Sequence, residues 1–127
     1  MEVCKQLKDH MIELAEDLKV IFTQPTDTSD LNMLKIGLTV INEVELMNGV
    51  IENFLPYKKQ ITDRNLTFFK EHKNQIFKGL NQTRVDYFDN RITKSPSEGG
   101  ISDEDKEAIW QYFDVIIQLS EEYKKKC

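Results

Sequence analysis

Apolar residues recur at steps of three and four along most of the chain, and no stretch alternates at a period of two for long enough to seed a sheet. That periodicity predicts an all-α fold. The stripe is densest over residues 101–123, where Ile109, Tyr112, Phe113, Ile116, Leu119 and Tyr123 share a helical face that Trp110 and Ile117 widen. Burying one large side chain stabilises by roughly 1.5–3 kcal/mol, so this segment is the expected centre of the core. Ser102 precedes Asp103, Glu104 and Asp105, an N-cap followed by an acidic first turn, and Lys124, Lys125 and Lys126 suit the far end of the helix dipole.

Over residues 2–22, Val3, Leu7, Met11, Leu14, Leu18 and Ile21 form a stripe opposed by Lys5, Lys8, Asp9, Glu13, Glu16 and Asp17, an amphipathic helix. Pro25 and Thr26-Asp27-Thr28-Ser29 end it and offer caps for the next. From Leu31, the positions Leu34, Leu38, Ile41, Val44, Met47, Ile51 and Phe54 stay in phase through Gly37 and Asn48-Gly49, which predicts one unbroken helix. Met33, Ile36 and Val40 broaden its apolar face, so burial on more than one side is expected.

Pro56 opens a new helix in which Tyr57, Ile61 and Phe68 share a face, or else Thr62-Asp63 caps a separate short helix running into Phe69. Residues 74–92 read as one interrupted or two short helices, with Ile76, Phe77 and Leu80 in the first half and Val85, Phe88 and Ile92 in the second. Residues 94–100, Lys-Ser-Pro-Ser-Glu-Gly-Gly, are the clear loop and the expected most flexible part. With no repeat or second core visible, the expectation is a single domain over residues 1–127, a compact bundle of four to six helices.

A chain of 127 residues and 14.9 kDa buries roughly two-thirds of its unfolded surface, enough for a core without staples. Cys4 and Cys127 have neither zinc-site spacing nor the density of a disulfide scaffold, and read as reduced thiols in an intracellular, reducing compartment. The charged start MEVCKQLKDH and the lack of a long apolar run predict neither a targeting leader nor a membrane span. Two glycosylation sequons, at Asn65 and Asn81, are then chance matches.

The net charge of −5 is unevenly laid out: −6 over residues 1–56, +5 over 57–94 and −4 over 95–127. The plainest reading pairs helices of opposite charge side by side; the alternative is a basic surface facing an outside partner. Lys58, Lys59, Arg64, Lys70, Lys73, Lys78, Arg84 and Arg91, set among Tyr57, Phe68, Phe69, Phe77 and Tyr87, have the composition of a nucleic-acid surface. Bases stack only on exposed rings, so that reading requires some of these aromatics to face solvent.

Chemistry is thin elsewhere. His10 and His72 lie far apart, outside any ligand-spaced cluster, and read as surface residues. Gly99-Gly100 precedes a helix whose three opening acids repel phosphate, and the acids from Asp103 to Glu107 lack the alternation and central glycine of a calcium loop. No nucleophile elbow or thiol motif is present, so no catalytic residue, cofactor, metal or small-molecule substrate is expected.

Tyr57, Ile61, Asp63-Arg64-Asn65 and Phe68-Phe69, followed by Ile109-Trp110, Tyr112-Phe113, Leu119 and Glu122-Tyr123, form a pattern over residues 57–123. It resembles small helical proteins of nucleocytoplasmic large DNA viruses, though the charged turn here is Asp63-Arg64-Asn65 rather than Arg-Asp, and position 116 is Ile. The resemblance implies a virus-encoded packing or interaction element, with no functional residues to carry over. The resulting expectation is a non-enzymatic protein of the virion or host cytoplasm that works through a protein partner or as a homo-oligomer, in one version as a minor particle component. Its contact surface should be whichever large apolar residues stay exposed, with Trp110, which reads equally well as a buried core residue, as first candidate and nucleic-acid binding by the basic segment as the alternative.

Overall fold

A computed structural model describes residues 2–126. Helices α1 (Glu2–Ile21), α2 (Pro25–Val40), α3 (Glu43–Asn53), α4 (Lys58–Thr62), α5 (Thr67–Ile76), α6 (Gln82–Thr93) and α7 (Asp103–Lys126) follow one another, with short 3-10 turns at Leu55–Tyr57 and Pro96–Glu98. Six of the helices have ten residues or more, and no strand occurs among the described residues. The protein is therefore an all-α helical bundle. No helix among the described residues is long and apolar enough to cross a membrane. Cys127 lies outside the described residues, while Cys4 is buried in the core.

The long terminal helices form the frame. On α7, Ile109, Trp110, Phe113, Ile116 and Ile117 are buried, and the Ser102 hydroxyl accepts the Asp105 N–H at 3.1 Å, so the anticipated cap and stripe are both present. On α1, Val3, Cys4, Leu7, Ala15 and Leu18 are buried, with Met11, Leu14 and Ile21 packed against the core. One continuous core takes residues from every helix. Its aromatic centre brings Phe69 to 4.8 Å from Trp110 and 5.4 Å from Phe113, and a second group stacks Phe77 on Phe88 at 5.0 Å with Phe22 edge-on.

The helix expected from Leu31 to Phe54 is broken. Ile41 and Asn42 are extended, and the Asn42 side chain accepts the N–H groups of Val44 and Glu45, starting α3 afresh. Lys8 of α1 donates to the Ile41 carbonyl at 2.7 Å, satisfying a group that the break exposes. α1 ends at Ile21, and Pro25 occupies the first turn of α2, where its missing N–H costs nothing; Thr26, Asp27, Thr28 and Ser29, expected as caps, lie inside α2, whose N-cap position is Gln24 with no side-chain hydrogen bond. The basic segment follows the split reading in outline, since α4 stops at Thr62 and α5 starts at Thr67, but the side chain accepting the first N–H of α5 is Asn65, not Thr62 or Asp63. Residues 74–80 close α5 rather than found a new helix, and Asn81 caps α6 by accepting the Arg84 N–H.

His72, expected at the surface, is buried. It stands one turn after Phe68 on α5, stacks on that ring at 4.6 Å, meets Tyr57 at 4.3 Å, and shares a 3.0 Å hydrogen bond between Nδ1 and the Phe68 carbonyl. His10 is half-buried against Tyr112. The 94–100 loop is tied down: Gly100 N–H donates to the Ser95 carbonyl at 2.9 Å and Ile101 N–H to the Arg91 carbonyl at 2.8 Å.

Candidate interaction surface

Helix α2 is apolar on two sides, so the pattern of its sequence does not say which side faces the core. Its charges decide. Asp27 is only 2% exposed and accepts Arg84 Nη2 at 2.5 Å and the Tyr87 hydroxyl at 2.8 Å, while Asp30 accepts Arg84 Nε at 2.5 Å. Arg84 also lies over the Tyr87 ring at 4.4 Å. Lys35 pairs with Glu16 of α1, and Asn32 accepts Lys19 Nζ at 2.8 Å. Every charged side chain of α2 is thus engaged with α1 or α6, and Leu31 fills the core between them.

At about 100° per residue, the positions opposite Leu31 are Met33, Ile36 and Val40. They are 56%, 63% and 77% exposed, and Val44 just past the break is 36% exposed. The expectation that this broad apolar face is buried on more than one side is overturned: engagement of its acids by Arg84 fixes the rotation of α2 and turns the second apolar side to solvent. Charge is absent from this strip, which includes Ser29 and Gly37 between the larger side chains.

Beside the strip lies an apolar cleft of about 740 Å³ between α1, α2 and α3 on one side and the end of α5 on the other. Leu34, Leu38 and Ile41 form its α2 wall, Phe54, Phe113 and Ile116 line its depth, and Gly37 belongs to both cleft and strip. Gln75 donates to Asn53 at 3.1 Å, joining two lining residues across α5 and α3. The chemistry on offer is apolar contact: no group of three or more metal-ligating side chains forms among the described residues.

Trp110, the first candidate from sequence, is 3% exposed, packed by Phe68, Phe69, Phe113 and the Arg64 guanidinium. In the single chain it is core, because α5 supplies the rings that cover the wide stripe of α7. The eight basic residues are dispersed over α4, α5, α6 and the turns between them. Lys58 reaches Glu121 at 2.8 Å, Lys59 reaches Asp63 at 3.0 Å, and Lys73 reaches Asp86 at 2.8 Å and Asp89 at 3.8 Å. Arg84 is engaged as above, and Arg91 donates to the Tyr87 hydroxyl at 3.0 Å while covering Phe22. Lys70 and Lys78 are exposed, and Phe68, Phe69 and Phe77 are buried, so no stacking platform is formed by those three rings.

Arg64 is the most constrained member of the set. Its backbone is left-handed, with φ of 58°, and its guanidinium donates to both carboxylate oxygens of Glu107 and of Asp114 at 2.8–3.1 Å. The hydrogen bonds to Asp114 and then to Glu107 hold its pKa even higher than that of ordinary arginine. The charged turn of the sequence pattern therefore staples the α4–α5 junction to α7.

Fold and surface together define the class: an all-α helical bundle that carries an uncharged apolar strip beside an apolar cleft. Comparison with protein-family models, with curated proteins and with solved structures finds no match to this chain. These comparisons add no support to the viral resemblance drawn from the residue pattern over residues 57–123.

Proposed function

We propose that this protein acts without catalysis, as a protein-contact module that uses the outward face of α2. One observation carries the reading: Met33, Ile36 and Val40 form an exposed apolar strip on a helix whose charged residues are all engaged elsewhere. The largest apolar patch on a typical monomer is roughly 300–600 Å² and is often functional. Three or four large side chains exposed to this degree, bordering an open apolar cleft, form a patch of that order. A setting in the particle of a large DNA virus belongs to the same proposal and is supported by the pattern over residues 57–123.

Nucleic-acid recognition by the basic segment is supported less well, since six of its eight cations are engaged within the chain and Phe68, Phe69 and Phe77 are buried. The test is capture of partners on the tagged full chain from its native source, at low and high salt, with and without nuclease, using wild type and the double variant Ile36→Glu/Val40→Glu. Proteins held by wild type through high salt and nuclease, and lost by the variant, support the reading. Partners that leave with salt or nuclease, or that ignore the variant, overturn it, because phosphate contacts weaken steeply with ionic strength whereas apolar contacts do not.

A further inference from the structure

The cleft between α1, α2, α3 and the end of α5 is separate from the outward strip of α2. We propose that it is a binding site for one fatty acid, the hydrocarbon lying in the cleft and the carboxylate at Lys78; this goes beyond the protein-contact reading and does not depend on it.

The walls give the first argument. Met11, Leu14, Leu34, Leu38, Ile41 and Ile76 line the cleft and are only half-buried, because no described side chain fills the space they share. Gly49 lines it too, in the middle of α3, where a methyl group built on its backbone would touch nothing within 4 Å. Glycine is the poorest helix former after proline, and neither a turn nor close packing calls for one here. Its effect is to leave the cleft open. The volume of about 740 Å³ falls within the roughly 300–1,000 Å³ of pockets that take small molecules.

Polarity gives the second. Glu45 and Asn53 both line the cleft from α3, about 12 Å apart along the helix axis. Asn53 accepts Gln75, which brings Asn74, Gln75 and Lys78 to that end. Lys78 is exposed and has no ion pair among the described residues. One end therefore offers a cation and amide donors, the other a carboxylate, with apolar walls between them. A ligand with a single anionic head is accepted in one direction only, because Glu45 repels a head placed at the far end.

Size gives the third. A partner helix about 10–12 Å across would need about 900 Å³ or more over the same length, which exceeds the space present. A hydrocarbon chain is thin enough. At about 1.2 Å per bond, the advance of an extended backbone, about ten methylenes span the distance from Asn53 to Glu45.

Isothermal titration calorimetry of the full chain tests the site with sodium octanoate, decanoate, dodecanoate and tetradecanoate below their micelle concentrations, and with decanol as the uncharged counterpart. Wild type should bind one fatty acid per chain, with affinity rising about fourfold per methylene as far as dodecanoate and flattening at tetradecanoate. Gly49→Leu puts a side chain into the cleft. It should weaken dodecanoate binding about tenfold or more while keeping or raising the melting temperature. Lys78→Ala should weaken decanoate about two- to fivefold and leave decanol unchanged, as expected of an exposed charge pair. Ile36→Glu, on the outward strip, should change neither. Absence of saturable dodecanoate binding to wild type overturns the proposal, as does binding that survives Gly49→Leu or is lost with Ile36→Glu. A Lys78→Ala variant that loses nothing for decanoate overturns it as well, since the head would then lie elsewhere. Partner capture with the α2 double variant reads the protein-contact proposal separately, so either can fail without the other.

Discussion

Asp27 is the hinge on which the exposed strip depends, and Asp27→Ala measures how firmly. Its carboxylate is 2% exposed and holds Arg84 at 2.5 Å and the Tyr87 hydroxyl at 2.8 Å. Removing one member of a fully buried ion pair costs about 3–5 kcal/mol, mostly from the charge left behind. Arg84 is not fully buried, having 21% side-chain exposure, and it keeps Asp30 at 2.5 Å, so its charge is only partly stranded. Tyr87 likewise keeps a hydrogen bond from Arg91. What is lost is about two hydrogen bonds to a charged acceptor, each worth about 1.5–3 kcal/mol before water and Asp30 make good a part. The expected destabilisation is about 2–3 kcal/mol. Urea unfolding followed by circular dichroism reads it: for a slope near 1.5 kcal/mol/M, typical of a small domain, the midpoint falls by about 1.3–2 M at constant slope. A loss below about 1 kcal/mol, or a double-mutant cycle with Arg84→Ala that shows no coupling, refutes the claim that this pair fixes the rotation of α2. Ile36→Glu in the same assay should move stability by no more than about 0.5 kcal/mol, as expected of a surface change.

Trp110→Ala should cost about 3–5 kcal/mol, the range for emptying a large buried aromatic site, and lower the melting temperature by about 10–20 °C; an unchanged melting temperature would return Trp110 to the surface. Gly100→Ala should destabilise by about 1–3 kcal/mol, because the added methyl would lie 1.9 Å from the Lys94 carbonyl oxygen, whereas Gly49→Ala meets nothing within 4 Å in mid-helix and should stabilise by about 0.5–1 kcal/mol. Equal effects at the two glycines, read by urea midpoints, would contradict the tight closure of the 94–100 loop. Burial pushes the Asp89 carboxyl above its ordinary value of 3.8, against the pull of Lys73 and Lys70. A raised folded pKa means that ionisation opposes folding as pH rises through it, so Asp89→Asn should be more stable than wild type at pH 7 and equal to it once the pH drops below 3.8; a variant no more stable at pH 7 would show that the lysines outweigh burial.

Some of the misreadings of the sequence had a readable remedy. Asn42 followed by Glu43 and Glu45 is a helix-start signature of the same kind as Ser102 with Asp105, and it lay inside an apolar phase that stayed regular on both sides of the break. Phase alone does not distinguish one long helix from two that happen to keep step. His72 follows Phe68 by one turn and so falls on a face already assigned to the core, a placement the periodicity contained. Trp110 had a weaker cue, since it only widens the stripe of α7 and stripe width does not say how far neighbours cover it. Its burial depends on Phe68, Phe69 and Arg64 arriving from some forty residues away.

The sequence by itself determined the helical class, the cap at Ser102 and the buried stripes of α1 and α7, because period, cap and stripe are local: a side chain's place on a helix follows from its neighbours three and four positions away. Only the tertiary structure decided which side of α2 meets water. Its two apolar faces compete on equal terms for the core, and the choice falls to Asp27 and Asp30 finding Arg84 more than fifty positions along the chain. Part of the basic middle is decided in the same way, Lys58 and Arg64 by acids of α7 and Arg84 by acids of α2, while Lys59 and Lys73 pair with acids of their own segment. Long-range pairing of charge is what leaves Met33, Ile36 and Val40 outside, and no local pattern records it.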